Sequence, residues 1–244
     1  MSRRLQELAW HETPLGELTL RRRIDPVSGQ EIHEVKLGEE FLMSSLFTAA
    51  EEELARRALA ELDGTEHEVL VGGLGLGYTA RTVLEEARVA SLVVVDALAE
   101  VIGWHEQGLV PLGPGLTADR RCSLVHGSFF ALMSGELAAQ DRAGHPVDRA
   151  YDAILVDIDH SPRHVLHPDH ASLYTPEGVD EVVRRLRPGG VFALWSNDPP
   201  DVDYLEVLRT GLVDCRAEVV PFANPLQDGP ATNTVYLARR PVGD

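Results

Sequence analysis

A short apolar run, Glu68-Val69-Leu70-Val71, breaks into Gly72-Gly73-Leu74-Gly75-Leu76-Gly77 and then into a helical pattern from Tyr78 to Glu86. That order predicts a strand, a tight turn and a helix. Glycine suits the turn because its backbone takes positive φ and lets a ligand approach closely. The helix start that follows offers N–H groups to a ligand. A chain built around such a unit is constrained to repeat it, alternating strands with covering helices.

The later sequence does so. Strands are predicted at 68–72, 91–95, 122–126, 152–157 and 190–195, with helical stretches between them. This is an α/β pattern, a parallel sheet covered on both faces with right-handed crossovers. Residues 217–222 and 233–238 read as two more strands. The loop between them is too short for a covering helix, so they form an antiparallel pair at the sheet edge. The polar, small-residue segment 133–150 is expected to be a helix and loop. Ahead of this body, 15–21, 31–37 and 41–43 alternate or run apolar between turn clusters, as a small antiparallel β unit does. Thr48 and Glu51 have the spacing of a capping box for the next helix, which ends at Asp63-Gly64. Two units are therefore expected, 1–47 and 48–244.

The formal net charge of -17 argues against a nucleic-acid backbone or an anionic membrane surface as partner. It permits a cationic small molecule. Cys122 and Cys215 are too far apart in sequence for a zinc or redox motif. The start, Met1-Ser2-Arg3-Arg4, lacks the apolar core of a secretory signal, and no apolar run is long enough to span a bilayer. A cytoplasmic protein is expected.

In such sheets ligands meet the carboxyl ends of the strands. The candidates are thus Gly73, Gly75 and Gly77, then Asp96 with Ala97, Gly127 with Ser128, Asp157 with Asp159 and His160, and Trp195. Asp96 ends the second strand, where a carboxylate accepts both hydroxyls of a ribose. Asp157, delivered by Tyr151-Asp152-Ala153-Ile154-Leu155-Val156, is placed to act as general base toward an amine or to hold its cationic form. Asp159 and His160 follow it toward substrate. His160, His164, His167 and His170 cluster, but Pro162 and Pro168 break any helical face that would align them, and no metal is expected. Trp104 and His105 either flank an adenine or belong to the core. The glycine spacing fits both an S-adenosylmethionine turn and the dinucleotide fingerprint. Leu186-Arg187-Pro188-Gly189-Gly190 and the terminal hairpin favour the former.

From about residue 68 to 240 the chain resembles the polyamine aminopropyltransferases, the spermidine synthase family of the class I methyltransferase superfamily. The resemblance rests on the glycine turn, Val95-Asp96, Tyr151 to Asp157 followed by Ser161-Pro162, Leu173-Tyr174, and Leu186 to Gly190. It implies a Rossmann-like, seven-stranded methyltransferase-type sheet behind an N-terminal β hairpin unit. It also implies transfer of an aminopropyl group from decarboxylated S-adenosylmethionine to a polyamine or other amine, with homodimers a feature of the family. Asp157 then matches the catalytic acid, Asp96 the ribose acid, and Tyr174 joins the substrate side. The chain departs from the family at Leu76 and His160, where acids are usual, at Ser128, which replaces an Asp, and across Met43-Ser44-Ser45 and Pro221-Phe222-Ala223-Asn224-Pro225. Two alternatives follow: a small-molecule methyltransferase using intact S-adenosylmethionine, and a non-catalytic nucleotide-binding relative.

Overall fold

A computed structural model describes residues 5–26, 28–224 and 229–243. The readings above that touch Met1–Arg4, Val27 and Pro225 lie outside those residues. The N-terminal unit is a four-stranded antiparallel sheet of β1 (Leu5–Thr13), β2 (Gly16–Ile24), β3 (Glu31–Leu37) and β4 (Glu40–Ser44), in that order. Strand β1 has no counterpart in the sequence reading. It lies at the edge with most of its side chains in solvent, so it carries no apolar alternation to detect.

The main sheet holds β5 (His67–Gly72), β6 (Val89–Asp96), β7 (Cys122–His126), β8 (Tyr151–Val156), β9 (Leu186–Ser196), β10 (Val213–Ala223) and β11 (Pro230–Arg239). Its order is β10-β11-β9-β8-β5-β6-β7. Neighbours from β9 to β7 pair in parallel, and β11 runs antiparallel to both β9 and β10. The terminal pair is therefore antiparallel as expected, but only β10 is at the edge; β11 is inserted beside β9. Both faces of the sheet are covered, as its apolar strands require. Val69 and Val71 enter one core cluster and Leu70 the other, because successive strand residues point to opposite faces.

The first cluster also contains Leu18, Leu20 and Val35 of the N-terminal sheet and Leu54, Ala55 and Ala58 of helix α1 (Ala49–Ala60). The boundary expected at residue 47 marks a change of sheet, and the core runs across it. The expected capping box does not form. Thr48 makes no side-chain bond to the helix backbone, and its hydroxyl donates to Glu52 Oε1 at 3.2 Å. Glu51 is left free to turn inward. The helix stops at Ala60, a turn before Asp63-Gly64.

Five helices complete the part that frames the site: α2 (Tyr78–Glu85), α3 (Ala99–Glu106), α4 (Gly113–Ala118), α5 (Phe129–Ser134) and α6 (Pro176–Arg185), with α7 (Val202–Leu208) near the hairpin. The segment expected as a helix and loop at 133–150 contributes only the last residues of α5 and then a loop. Among the described residues no helix is long and apolar enough to cross a membrane. Chain order reverses at β5, which pairs with β6 on one side and β8 on the other. The carboxyl ends of those strands open into the main cavity, as expected of a switch point.

Candidate active site

The cavity spans about 1020 Å³, its open mouth included. Gly73 and Gly75 form its floor, Val95 to Leu98 one wall, and Ser128 to Phe130 another. Asp157, Ile158 and His160 arrive from β8, and Trp195 from β9. Leu15, Val35, Leu42 and Met43 of the N-terminal sheet close the remaining side with Glu51.

Gly73 sits at φ 93°, and a Cβ there would lie 2.0 Å from the Asp157 carbonyl oxygen. The turn can pass beneath Asp157 only as glycine. Its donors are already engaged. Gly73 N–H donates to Val95 O at 2.9 Å and Gly77 N–H to Leu74 O at 2.8 Å. Leu74 N–H donates to Asp96 Oδ2 at 2.8 Å and Leu76 N–H meets Met43 Sδ at 3.0 Å. Gly75 N–H also bonds Asp96. The turn itself therefore offers no N–H to a ligand. Among the described residues, Tyr78, Thr79 and Ala80 of the helix start do not line the cavity, so the N–H groups on which a pyrophosphate would sit are not presented to it, and this disfavours the dinucleotide reading.

Asp96 ties this turn to the next. Its Oδ1 accepts Leu98 N–H at 2.8 Å while Oδ2 accepts Leu74. Burial raises its pKa against those backbone bonds. Three N–H bonds leave about one acceptor site of the carboxylate unused, and the residue lines the cavity with Ala97. Ser128 lines it too, and its Oγ accepts Ala131 N–H at 3.2 Å to cap α5. Gly77 and Gly127 do not reach the wall. Gly77 packs on Leu116 and His105, and Gly127 on Leu137. Trp104 and His105 are buried in the core, with His105 Nε2 2.9 Å from Gly75 O. Neither lines the cavity, so the adenine-flanking option for them falls away.

Asp157 Oδ2 accepts the Thr79 hydroxyl at 2.6 Å. Burial raises its pKa to about 6. Glu51 faces the same space. Burial, and then the charge of Asp157, push its carboxyl up to about 8. Two acids in one apolar cavity resist carrying two charges at once. With Asp96 they give the cavity three carboxylates, and among the described residues no Lys or Arg lines it.

His160 lines the cavity, and its Nε2 lies 2.7 Å from Glu40 Oε1 across the gap to β4. Trp195 brings a buried indole N–H that has no hydrogen-bond partner among the described residues. Asp159 and Tyr174 correct the sequence reading, because they stand behind the wall rather than on it. Asp159 accepts Leu166 N–H, His170 Nδ1 and Tyr174 O–H, each at 2.8 Å, and so holds the loop after β8 together. The clustered histidines have separate partners. His164 pairs with Asp198 at 2.9 Å, and His167 Nδ1 accepts Asp169 N–H at 3.3 Å. Among the described residues no three His, Cys, Asp or Glu are grouped to hold a metal.

Sequence reasoning missed Glu51, Met43 and Thr79 as site residues. Glu51 was hidden by a plausible capping-box spacing, and nothing local marks which way a first-turn Glu points.

No family model matches the chain. Over 154 residues it is 30% identical to polyamine aminopropyltransferase 2 of Pseudomonas aeruginosa, covering 59% of this chain and 39% of that protein. The crystal structure of spermidine synthase from Thermotoga maritima superposes with a TM-score of 0.70 over 98% of this chain and 73% of that one, at 16% identity. The fold is that of spermidine synthase. A spermidine synthase complexed with the transition-state analogue AdoDATO matches with the same score, coverage and identity. The N-methyltransferase NodS from Bradyrhizobium japonicum follows at 0.53, with 15% identity over 78% of this chain and 94% of that one. The spermidine synthase-like fold thus extends to the N-terminal sheet, whereas the chain spans about two fifths of the curated relative's length.

Proposed function

We propose that the chain is a transferase that moves an aminopropyl group from decarboxylated S-adenosylmethionine to a small amine. The observation that carries this reading is the electrostatics of the cavity: among the described residues Glu51, Asp96 and Asp157 line it without a Lys or Arg, and the N–H groups of the glycine turn are engaged within the chain. That environment favours a donor with a sulfonium and a terminal ammonium. It disfavours the carboxylate of intact S-adenosylmethionine, which would have no cationic or N–H partner at the turn. The aminopropyltransferase and spermidine synthase likenesses agree with it.

In this reading Asp96 accepts the ribose hydroxyls and Asp157 receives the attacking amine and assists loss of its proton. His160 and Trp195 face the acceptor. The amine lone pair attacks the propyl carbon next to sulfur, and the C–S electrons stay on sulfur, which leaves as a neutral thioether. The site's contribution is alignment of nucleophile and carbon together with handling of charge.

Methyl transfer from intact S-adenosylmethionine is the second reading. It is favoured by buried Leu76, which stands where the aminopropyltransferases carry an acid, and by the likeness to NodS. Ligand-induced thermal stabilisation separates the two. Decarboxylated S-adenosylmethionine is expected to bind at least tenfold more tightly than the intact compound, about 1.4 kcal/mol, with methylthioadenosine also stabilising. Preference for the intact compound would favour methyl transfer, and indifference to every adenosyl compound would favour a non-catalytic relative.

A further inference from the structure

Behind the loop after β8, the 3₁₀ segment Pro168–Tyr174 carries a second proton-handling group into the cavity. His170 lines the cavity and stacks on Phe130, with ring centroids 3.8 Å apart and planes inclined by 14°. Its Nδ1 lies 2.8 Å from Oδ1 of Asp159, whose side chain is fully buried. Asp159 Oδ1 also accepts Leu166 N–H, and Oδ2 accepts Tyr174 O–H. A carboxylate surrounded by donors acts as acceptor, so the imidazole donates from Nδ1 and keeps its lone pair on Nε2. Among the described residues Nε2 has no protein partner. Stacking and hydrogen bonding therefore fix both the tautomer and the ring plane of a histidine on the cavity wall.

We infer that His170 takes the proton of the acceptor amine, with Asp159 as its positioning residue. This rests on the transfer reading above and divides the work within it. Asp157, bonded to Thr79 and facing Glu51, holds and orients the cationic amine. The ammonium N–H then breaks, its proton passes to His170 Nε2, and the freed lone pair attacks the propyl carbon while the C–S electrons remain on sulfur. The imidazolium so formed is stabilised by Asp159 until it releases the proton to water. The arrangement has the logic of a histidine oriented by a buried carboxylate.

The test uses the full-length protein, decarboxylated S-adenosylmethionine as donor, and the linear amine that the wild type turns over fastest. His170→Gln and Asp159→Asn are expected to lower kcat by roughly 10²–10³-fold, with donor KM within about twofold of wild type. In both, the shape of the pH–rate profile should differ from that of the wild type. Their rates should recover toward high pH, where the amine sheds its own proton. Added imidazole should restore part of the activity of His170→Ala. Tyr174→Phe, which removes one hydroxyl, should fall between these and the wild type. A purely structural role would leave the pH profiles parallel and give no imidazole rescue. Either result, or a His170→Gln enzyme with wild-type kcat and profile, would overturn the proposal. Failure of the transfer reading is visible separately, in a wild type that binds methylthioadenosine yet transfers nothing to any amine.

Discussion

Asp157→Asn is expected to lower kcat by roughly 10²–10⁴-fold while methylthioadenosine still binds. The substitution is nearly isosteric. The Thr79 hydroxyl that donates to Oδ2 at 2.6 Å keeps an acceptor, and the carbonyl that lies over Gly73 is untouched. What disappears is the negative charge that receives the amine. The same change should lower the Glu51 pKa from about 8, since the Asp157 charge is the second cause of its elevation after burial. Turnover by Asp157→Asn at the wild-type rate under saturating substrate would contradict the assignment. The acid pair also leaves a mark on the empty protein. Between the ordinary carboxyl value of 4.5 and about 8, the folded state holds a proton on Glu51 that the unfolded state has lost. Stability therefore declines as pH rises through that window. Asp157 adds to the decline between 3.8 and about 6. In Glu51→Gln the part of the fall between those carboxyl values and pH 8 that belongs to Glu51 should be missing, leaving the variant more stable than wild type at pH 8. Denaturant melts across pH would read this directly, and equal slopes would contradict an inward-facing Glu51.

Gly73→Ala is expected to cause the largest loss of stability among single changes near the site. Its φ of 93° is one that L side chains rarely adopt, and the added Cβ would fall 2.0 Å from the Asp157 carbonyl oxygen and 3.2 Å from Ile158 Cγ1. The left-handed conformation costs roughly 1–2 kcal/mol and the overpacking about 1–3 more. A total near 3 kcal/mol would lower Tm by roughly 6–12 °C in a chain of this size. Relief of the clash would also push apart β5 and the residue after β8, so adenosyl binding should weaken with stability. Gly144→Ala is the matched control, since its φ of 86° is similar but no atom lies within 4 Å of the added Cβ. It should lose only the conformational part. Equal losses in the two variants would show that the close approach to Asp157 has no energetic weight.

The body of the fold was legible because buried parallel strands are short, apolar and punctuated by glycine and proline. Residues 122–126 and 31–37 coincide with β7 and β3, and the others differ at their ends. Asp157 and Asp96 could be found because strand ends converge on one crevice, a rule of topology rather than of local sequence. Asp159 and Tyr174 were placed on the substrate side because sequence proximity to Asp157 looks the same whether a side chain points into the cavity or behind it. Strand alternation alone would send Asp159 to the same side as Asp157; it is turned away because its carboxylate accepts from Leu166, His170 and Tyr174. Glu51 and Met43 were invisible for a different reason. They come from the N-terminal sheet and helix α1, and their presence depends on how that sheet docks on the main one. The glycine turn is expected from sequence to let a ligand come close, and the group that approaches Gly73 in the structure is Asp157 O of the chain itself.

The central claim is that this cavity transfers a propylamine unit from a cationic donor. Decarboxylated S-adenosylmethionine isotopically labelled in its propyl chain, incubated with the protein and a panel of linear amines, tests it most directly by mass spectrometry. Label is expected in the amine, with one methylthioadenosine released per label transferred. Label that stays with the donor, together with methyl transfer from intact S-adenosylmethionine to the same amines, would contradict it.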